Sequence, residues 1–261
     1  MVGLIDTHCH LDQLPDPAAA LQQAAAQGVE QLVAVAENPS SMRAVLKLKT
    51  AFPQQVFACI GLHPAWVIEA KSQDIERGLD FLASHLIEAD AVGEIGLDHK
   101  WATTPQQQAL QEAVFDRQLE LAAHFTKPVN LHSRRCLRQV MEKAAAFKKA
   151  SGLNAQLHWF TQSKKLVRIC NAENLFVSVG PTVLNDPATQ QVALEIADHL
   201  LLLETDAPVP IGGRPGHPAQ IRQVAETLAA LKNSTWEQIA ALSNANFQRY
   251  LQPSPTPNSR P

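Results

Sequence analysis

Two histidines one residue apart, His8 and His10, follow an apolar opening in the stretch LIDTHCHLDQL. In an extended strand alternate side chains share a face, so both imidazoles point one way while Cys9 points the other. Two imidazoles on one face can grip a divalent ion. A pair of surface histidines at a strand end is the plainer alternative, and the H-x-H spacing by itself does not decide between them. Asp6 shares that face one pleat further in, where a carboxylate is placed to orient one of the imidazoles.

Further residues of ligand type stand at the ends of other apolar runs. They are His63 in GLHP, Glu94 in AVGEIGLD, His132 in PVNLHSRR, His158 in AQLHWF and Asp206 in LLLLETDAP. A carboxylate inside an apolar run is unfavourable unless it is paired or bound to a cation. Glu94 is therefore either half of a buried ion pair with an arginine or lysine, or a carboxylate that shares its two oxygens between two metal ions. His132 and His158 could each be a satisfied core histidine. Asp206 could cap a turn, but Pro208 and Pro210 delay any helix after it, which favours a metal or general-base role.

Imidazole plus carboxylate without thiolate suits Zn, Mn, Fe, Co or Ni, with Mg less favoured because of the histidines. The set is too large for one tetrahedral ion, so two neighbouring ions are the natural reading. Such a pair activates a water and clamps an in-line displacement at phosphorus.

The elements that must position these residues follow from the pattern around them. Apolar, β-branched runs occur near residues 2, 30, 56, 90, 128, 154, 174 and 200, with helix-period segments between them. In PQQQALQEAVFDRQLELAAH, Thr104 can cap and Pro105 suits the first turn, while Leu110, Val114, Phe115, Leu119 and Ala122 form one apolar stripe. Strands apolar on both faces that alternate with amphipathic helices indicate a parallel sheet covered by helices. Eight such units in about 210 residues fit a single-domain α/β protein, a (β/α)8 barrel over residues 1–251, in which functional residues gather at the C-terminal strand ends. Neither G-x-G-x-x-G nor a P-loop is present. Residues 252–261, QPSPTPNSRP, are Pro/Ser-rich and are expected to be disordered.

Composition narrows the function classes. The net charge of −3 argues against a strongly basic nucleic-acid-binding surface, while a local basic patch remains compatible with it. The four cysteines, Cys9, Cys59, Cys136 and Cys170, form no C-x-x-C pair, so a zinc ribbon or disulfide framework is not expected. Reduced thiols and the absence of a leader-like start predict a cytoplasmic protein. No apolar run approaches the roughly 18 to 20 residues needed to span a bilayer, so no membrane partner is expected.

DTHCH, GLHP, GEIGLD, LHSR, LHWF and ETDAP, in this order, resemble the motifs of the TatD-type metal-dependent deoxyribonucleases, within the amidohydrolase superfamily, and of their YjjV-like branch in particular. The likeness runs from about residue 3 to about residue 250. It implies a distorted (β/α)8 barrel with two divalent ions (Zn, Mn or Mg). By motif match, His8, His10, Glu94 and Asp206 would hold one ion, and Glu94, His132 and His158 the other. Asp206 would also be the general base. The implied activity is hydrolysis of DNA phosphodiesters, often from the 3′ end.

Beyond the ligand set, His63 is either a substrate-side residue that contacts phosphate or protonates the leaving oxygen, or a structural turn before Pro64. Arg134 could bind a phosphate through its planar fork or simply begin an exposed helix. Trp159 and Phe160 are expected to pack rather than stack on a base. The sequence departs from the family where an aromatic residue often follows GLD, since His99 stands there, and where a cysteine usually follows the histidine of LHWF, since Trp159 stands there. After ETDAP, Arg214 remains but His217 replaces the usual asparagine. These positions bear on the substrate rather than on the metals. The expected partner is accordingly DNA or a small phosphoester, acted on by a monomer. Alternatives are a metal-dependent hydrolase of a small phosphate ester, lactone or amide, and a non-enzymatic scaffold that keeps metal for stability.

Overall fold

Each apolar run forms a strand. A computed structural model describes residues 3–161 and 164–253. The strands are β1 (Leu4–Cys9), β2 (Val29–Val35), β3 (Val56–Ile60), β4 (Ala91–Asp98), β5 (Val129–Arg134), β6 (Ala155–Leu157), β7 (Phe176–Val179) and β8 (Leu201–Leu203). They pair in parallel in simple order from β1 to β8. Beyond the last regular pairing, the backbone joins β8 to β1: Asp206 N–H donates to His8 O at 2.9 Å, and His10 N–H donates to Ala207 O at 2.7 Å. The result is a single-domain (β/α)8 barrel, as expected. The disordered tail predicted over 252–261 falls, beyond Pro253, outside the described residues.

Helices cover the outside: α1 (Pro17–Ala26), α2 (Pro39–Ala51), α3 (Pro64–Glu69), α4 (Ser72–His85), α5 (Pro105–His124), α6 (Leu137–Ser151), α7 (Lys164–Glu173), α8 (Pro187–Glu195), α9 (Ile221–Leu231) and α10 (Trp236–Tyr250). Several begin on the same device. A side chain of Asp16, Asn38, Thr104 or Asp186 accepts a first-turn N–H, and a proline follows it. Each such cap is worth about 1 kcal/mol, and the proline fixes φ where its missing N–H costs nothing. No helix among the described residues is long and apolar enough to cross a membrane.

One detail of α5 differs from the apolar stripe read in the sequence. Val114, Phe115, Leu119 and Ala122 are buried, but Leu110 is 38% exposed. Gln111 and Gln118 face inward instead. Gln118 accepts from Leu62 N–H at 2.7 Å and donates to Leu62 O at 3.1 Å. Gln111 accepts from Asp98 N–H at 3.0 Å and donates to Pro64 O at 3.0 Å. These backbone groups lie in the loop after β3, at the start of α3 and at the end of β4, where no strand ladder satisfies them. A buried amide supplies both a donor and an acceptor, which a leucine cannot.

The β4–β5 ladder continues further than the apolar runs suggested. Gly96 pairs with His132 and Asp98 with Arg134. Glu94 and His132 therefore lie within strands, not at their ends, and the last pairs of this ribbon form part of the rim. Gly96 is required for this close approach: its φ is +144°, and a Cβ there would lie 2.1 Å from His132 O.

Candidate metal centre

Beneath the barrel mouth the interior is polar. Gln156 Nε2 donates to Thr7 Oγ1 at 2.9 Å and to Ser178 Oγ at 3.0 Å. Thr7 Oγ1 donates across the closing seam to Leu203 O at 2.9 Å, and Ser178 Oγ donates to Glu204 Oε2 at 2.5 Å. Each of these side chains is buried and makes at least one hydrogen bond within this floor, although Gln156 Oε1 has no partner among the described residues.

On that floor the two carboxylate oxygens of Glu94 face two groups of donors. Oε2 lies 3.6 Å from His8 Nε2 and 3.5 Å from His10 Nε2. Asp206 Oδ1 completes this side, 3.4 Å from His8 Nε2 and 3.2 Å from His10 Nε2. Oε1 lies 2.6 Å from His132 Nδ1, 2.7 Å from His158 Nε2 and 3.5 Å from His63 Nε2. His8, His10, His63, His132 and His158 thus converge on the Glu94 carboxylate, Asp206 joins them through His8 and His10, and Arg134 stands apart at the exposed end of β5. The alternative for Glu94, a buried pair with an arginine or lysine, is absent among the described residues: its charged neighbours are imidazoles.

The donor set fits divalent ions on two grounds. His8 Nε2 and Asp206 Oδ1 are buried and lack a hydrogen-bond partner among the described residues, although both point at the space beside Glu94 Oε2. A buried nitrogen and a buried oxygen left unpaired together are costly unless a cation lies between them. The rear nitrogens of several rings are also fixed. His8 Nδ1 lies 2.9 Å from Asn130 Oδ1, and His10 Nδ1 lies 3.0 Å from Val35 O. Both partners are acceptors, so each Nδ1 carries the proton and each Nε2 presents a lone pair. His132 is turned round: Nε2 lies 3.1 Å from Asp98 Oδ2 and Nδ1 faces the centre.

Protons hold the cluster when metal does not. Burial works against charge on His10, but Asp206 and Glu94 outweigh it and lift the imidazole to about 9. His132 is likewise lifted to about 9 against burial, by Asp98 and Glu94. With acceptors at both nitrogens, an ion-free His132 must carry two protons, and a cation at Nδ1 would replace one of them. Burial and the stacked ring of His8, 4.0 Å away between centroids, push His158 down to about 4. Burial would raise Glu94 and Asp206, yet the surrounding imidazoles hold both well below the usual carboxylate range.

The other singled-out residues divide. His63 serves both readings: Nδ1 accepts from Ala65 N–H at 3.1 Å, capping α3, while Nε2 faces the centre. Because Nδ1 is the acceptor, the neutral ring carries its proton on Nε2 and presents a donor, not a ligand lone pair. Arg134 is the exposed last residue of β5, not the start of a helix, and shares the face of His132 one pleat further out. His217 accepts from Ala219 N–H at 3.1 Å and caps a short turn, a structural task. Phe160 is packed in the core, and the N–H of Trp159 is held by Glu204 Oε1.

The role expected for Asp6 is corrected. Asp6 orients no imidazole. It accepts from Thr205 N–H at 2.9 Å and Thr205 Oγ1 at 2.5 Å, and so ties β8 to β1. Its oxygens are taken up by Thr205 and by the His8 N–H at 3.3 Å, and Asn130 takes the orienting role for the His8 ring. Asn130, Asp98 and Glu204 were not singled out in the sequence. The first two had a signal, because Asn130 precedes His132 by two residues and Asp98 follows Glu94 by four, spacings that share a strand face. Burial raises Glu204 to about 8, so at neutral pH it is largely a neutral carboxyl held among Ser178, Trp159 and the His8–His158 stack.

Comparison with known proteins agrees with this geometry. The family model described as TatD related DNase matches residues 5–252. The chain is 33% identical to the uncharacterized metal-dependent hydrolase YjjV of Escherichia coli (strain K12), over 95% of this chain and 98% of that one. It is 28% identical to deoxyribonuclease TATDN3 of Homo sapiens, over 94% of this chain and 93% of that one. The crystal structure of YjjV, a TatD homologue from Escherichia coli K12, superposes with a TM-score of 0.85 at 29% identity, covering 96% of this chain and 98% of that one.

Proposed function

The chain belongs to the TatD related DNase family of metal-dependent hydrolases, and from that premise we propose that it is a deoxyribonuclease that cleaves DNA phosphodiesters with water, acting from the 3′ end. The observation that carries this reading is Glu94, whose two oxygens face two separate donor groups. His8, His10, Glu94 and Asp206 would hold one divalent ion, and Glu94, His132 and His158 a second; Zn, Mn and Mg are the candidates. Bound there, such ions supply Lewis acidity toward a phosphodiester and make water a usable nucleophile at neutral pH.

The protein's own groups do the rest. Asp206, kept ionised by His8 and His10, would accept the proton of the attacking water. His63 presents Nε2–H toward the same space, where it can donate to a phosphate oxygen or to the departing 3′ oxygen. Arg134, one pleat above His132, offers a planar fork to a flanking phosphate. The buried floor beneath the centre admits no second substrate from below, so the scissile group must enter through the mouth.

The test is incubation of the purified protein with Mn, Zn or Mg and 5′-labelled single-stranded DNA. Progressive shortening from the 3′ end is expected, with Asp206→Asn slower by about 100-fold or more. Absence of cleavage with every metal, or an Asp206→Asn variant as active as the parent, would overturn the proposal. The net charge of −3 supports a second reading, in which the substrate is a small phosphate ester, lactone or amide. That reading predicts a small substrate whose kcat/KM exceeds that of DNA.

A further inference from the structure

The rim above β4 and β5 carries a feature that the hydrolytic centre does not use. Trp101 is 51% exposed, the most exposed aromatic side chain among the described residues. It stands in the turn that follows β4, and Lys100 Nζ lies 5.0 Å from its ring centroid. Arg134 and Arg135 are exposed beside this turn, at the end of β5 and just after it, where His99 N–H donates to Arg134 O at 2.9 Å. A cavity of about 500 Å³ opens beside the turn, lined by His99, Arg135 and Arg138 and also by Glu142, which lies 4.0 Å from Arg138. In a chain of net charge −3, this is a local concentration of positive charge around an exposed indole.

The rim is coupled to the centre through one side chain. Asp98 Oδ2 lies 3.1 Å from Nε2 of His132. Asp98 Oδ1 accepts from Lys100 N–H at 2.8 Å and from Trp101 N–H at 3.2 Å. A single buried carboxylate therefore sets both a ring of the metal centre and the turn that presents the indole. An exposed indole with cations around it matches an unpaired base flanked by phosphates, since a base can stack on the ring while the cations meet the backbone.

We infer that Trp101, with Lys100, Arg134 and Arg135, forms a subsite for an unpaired nucleotide of single-stranded DNA, next to the scissile phosphate. The inference rests on the deoxyribonuclease reading for its substrate class, and it deepens that reading by naming what holds the strand. The indole face not covered by Lys100 takes the base, and the arginines take phosphates.

Binding and cleavage are measured separately. Fluorescein-labelled oligothymidylate is titrated into the full-length protein, kept metal-free with chelator, and followed by anisotropy. Turnover of the same oligonucleotide and of bis(p-nitrophenyl) phosphate is followed with Mn. Trp101→Ala is expected to weaken oligonucleotide binding and raise its KM by about tenfold, with Trp101→Phe within about threefold of the parent and with turnover of the small diester unchanged. Arg134→Ala is expected to lower the salt dependence of binding by about one phosphate contact. Binding that depends on Trp101 without cleavage would sink the nuclease reading and keep the subsite. Cleavage whose KM ignores Trp101→Ala would do the reverse. Absence of oligonucleotide binding, or equal loss on the small diester, would overturn the subsite.

Discussion

On the Oε2 side of Glu94, His8 and His10 are almost fully buried, and their rear nitrogens meet the neutral acceptors Asn130 and Val35 O. On the Oε1 side, the His132 side chain is 15% exposed and rests on the carboxylate of Asp98, while His158 Nδ1 is buried without a hydrogen-bond partner among the described residues. The first group hangs from the β1–β8 seam, which Asp6, Thr7 and Thr205 bind tightly from inside. The second comes from β5 and from the residue just after β6: His132 lies on the β4–β5 ribbon that forms part of the rim, and His158 follows Leu157. The difference teaches that one donor group belongs to the closing seam of the barrel, while the other reaches toward the mouth through His132. A carboxylate behind His132 makes that ring a stronger donor than a neutral acceptor would, which offsets its greater access to water.

Changes to the shared residue should have the largest effect. Glu94→Gln leaves both groups without their common anion and is expected to reduce metal-stimulated DNA cleavage on the order of a thousandfold, with loss of both ions on equilibrium dialysis. A variant that keeps one ion at full affinity would show that the two groups do not share Glu94. Next come changes that separate them. Asp98→Asn should weaken the ion on the His132 side by about 10- to 100-fold, and Asn130→Ala should do the same on the His8 side. Stepwise metal titration of each variant checks this, and a variant that weakens both steps equally would erase the contrast.

The smallest effect is a pH dependence of the metal-free protein. His10 and His132 keep their second proton up to about 9, whereas the unfolded chain gives it up near 6.5. The folded chain therefore holds more protons in that window, and stability present below 6.5 is lost as pH rises through 9. Glu204, raised to about 8 by burial, and Asp6, raised to about 7 by burial, act in the same direction over windows that begin lower. Glu94 and Asp206, held low, oppose this only in acid. The melting temperature in chelator should fall between about pH 6 and about pH 9, and Mn should reduce the fall because the ions replace the imidazole protons, leaving the share due to Glu204 and Asp6. A decline of equal size with Mn would locate it elsewhere.

The barrel was legible because two-faced apolar strands and Asx/Thr-Pro helix starts are local signals. So were His8, His10, His63, Glu94, His132, His158 and Asp206, each a polar residue where apolar ones prevail. What was not legible depends on register and depth. Asp6 and His8 share a strand face, and only the closure of β8 on β1 gives Asp6 to Thr205 rather than to a ring. Gln111 and Gln118 broke the apolar stripe of α5 because the loops they face need hydrogen bonds, a demand invisible within the helix itself. Where the family often carries an aromatic residue, this chain has His99, and the exposure of Trp101 two residues later depends on the turn held by Asp98.

The most direct test of a carboxylate shared between two ions is elemental analysis of the protein after saturation with Mn or Zn and removal of free metal. The account predicts about two ions per chain in the parent, and about one in a His132→Ala variant that stays folded. About one ion per chain in the saturated parent, or the same content in parent and variant, would contradict it.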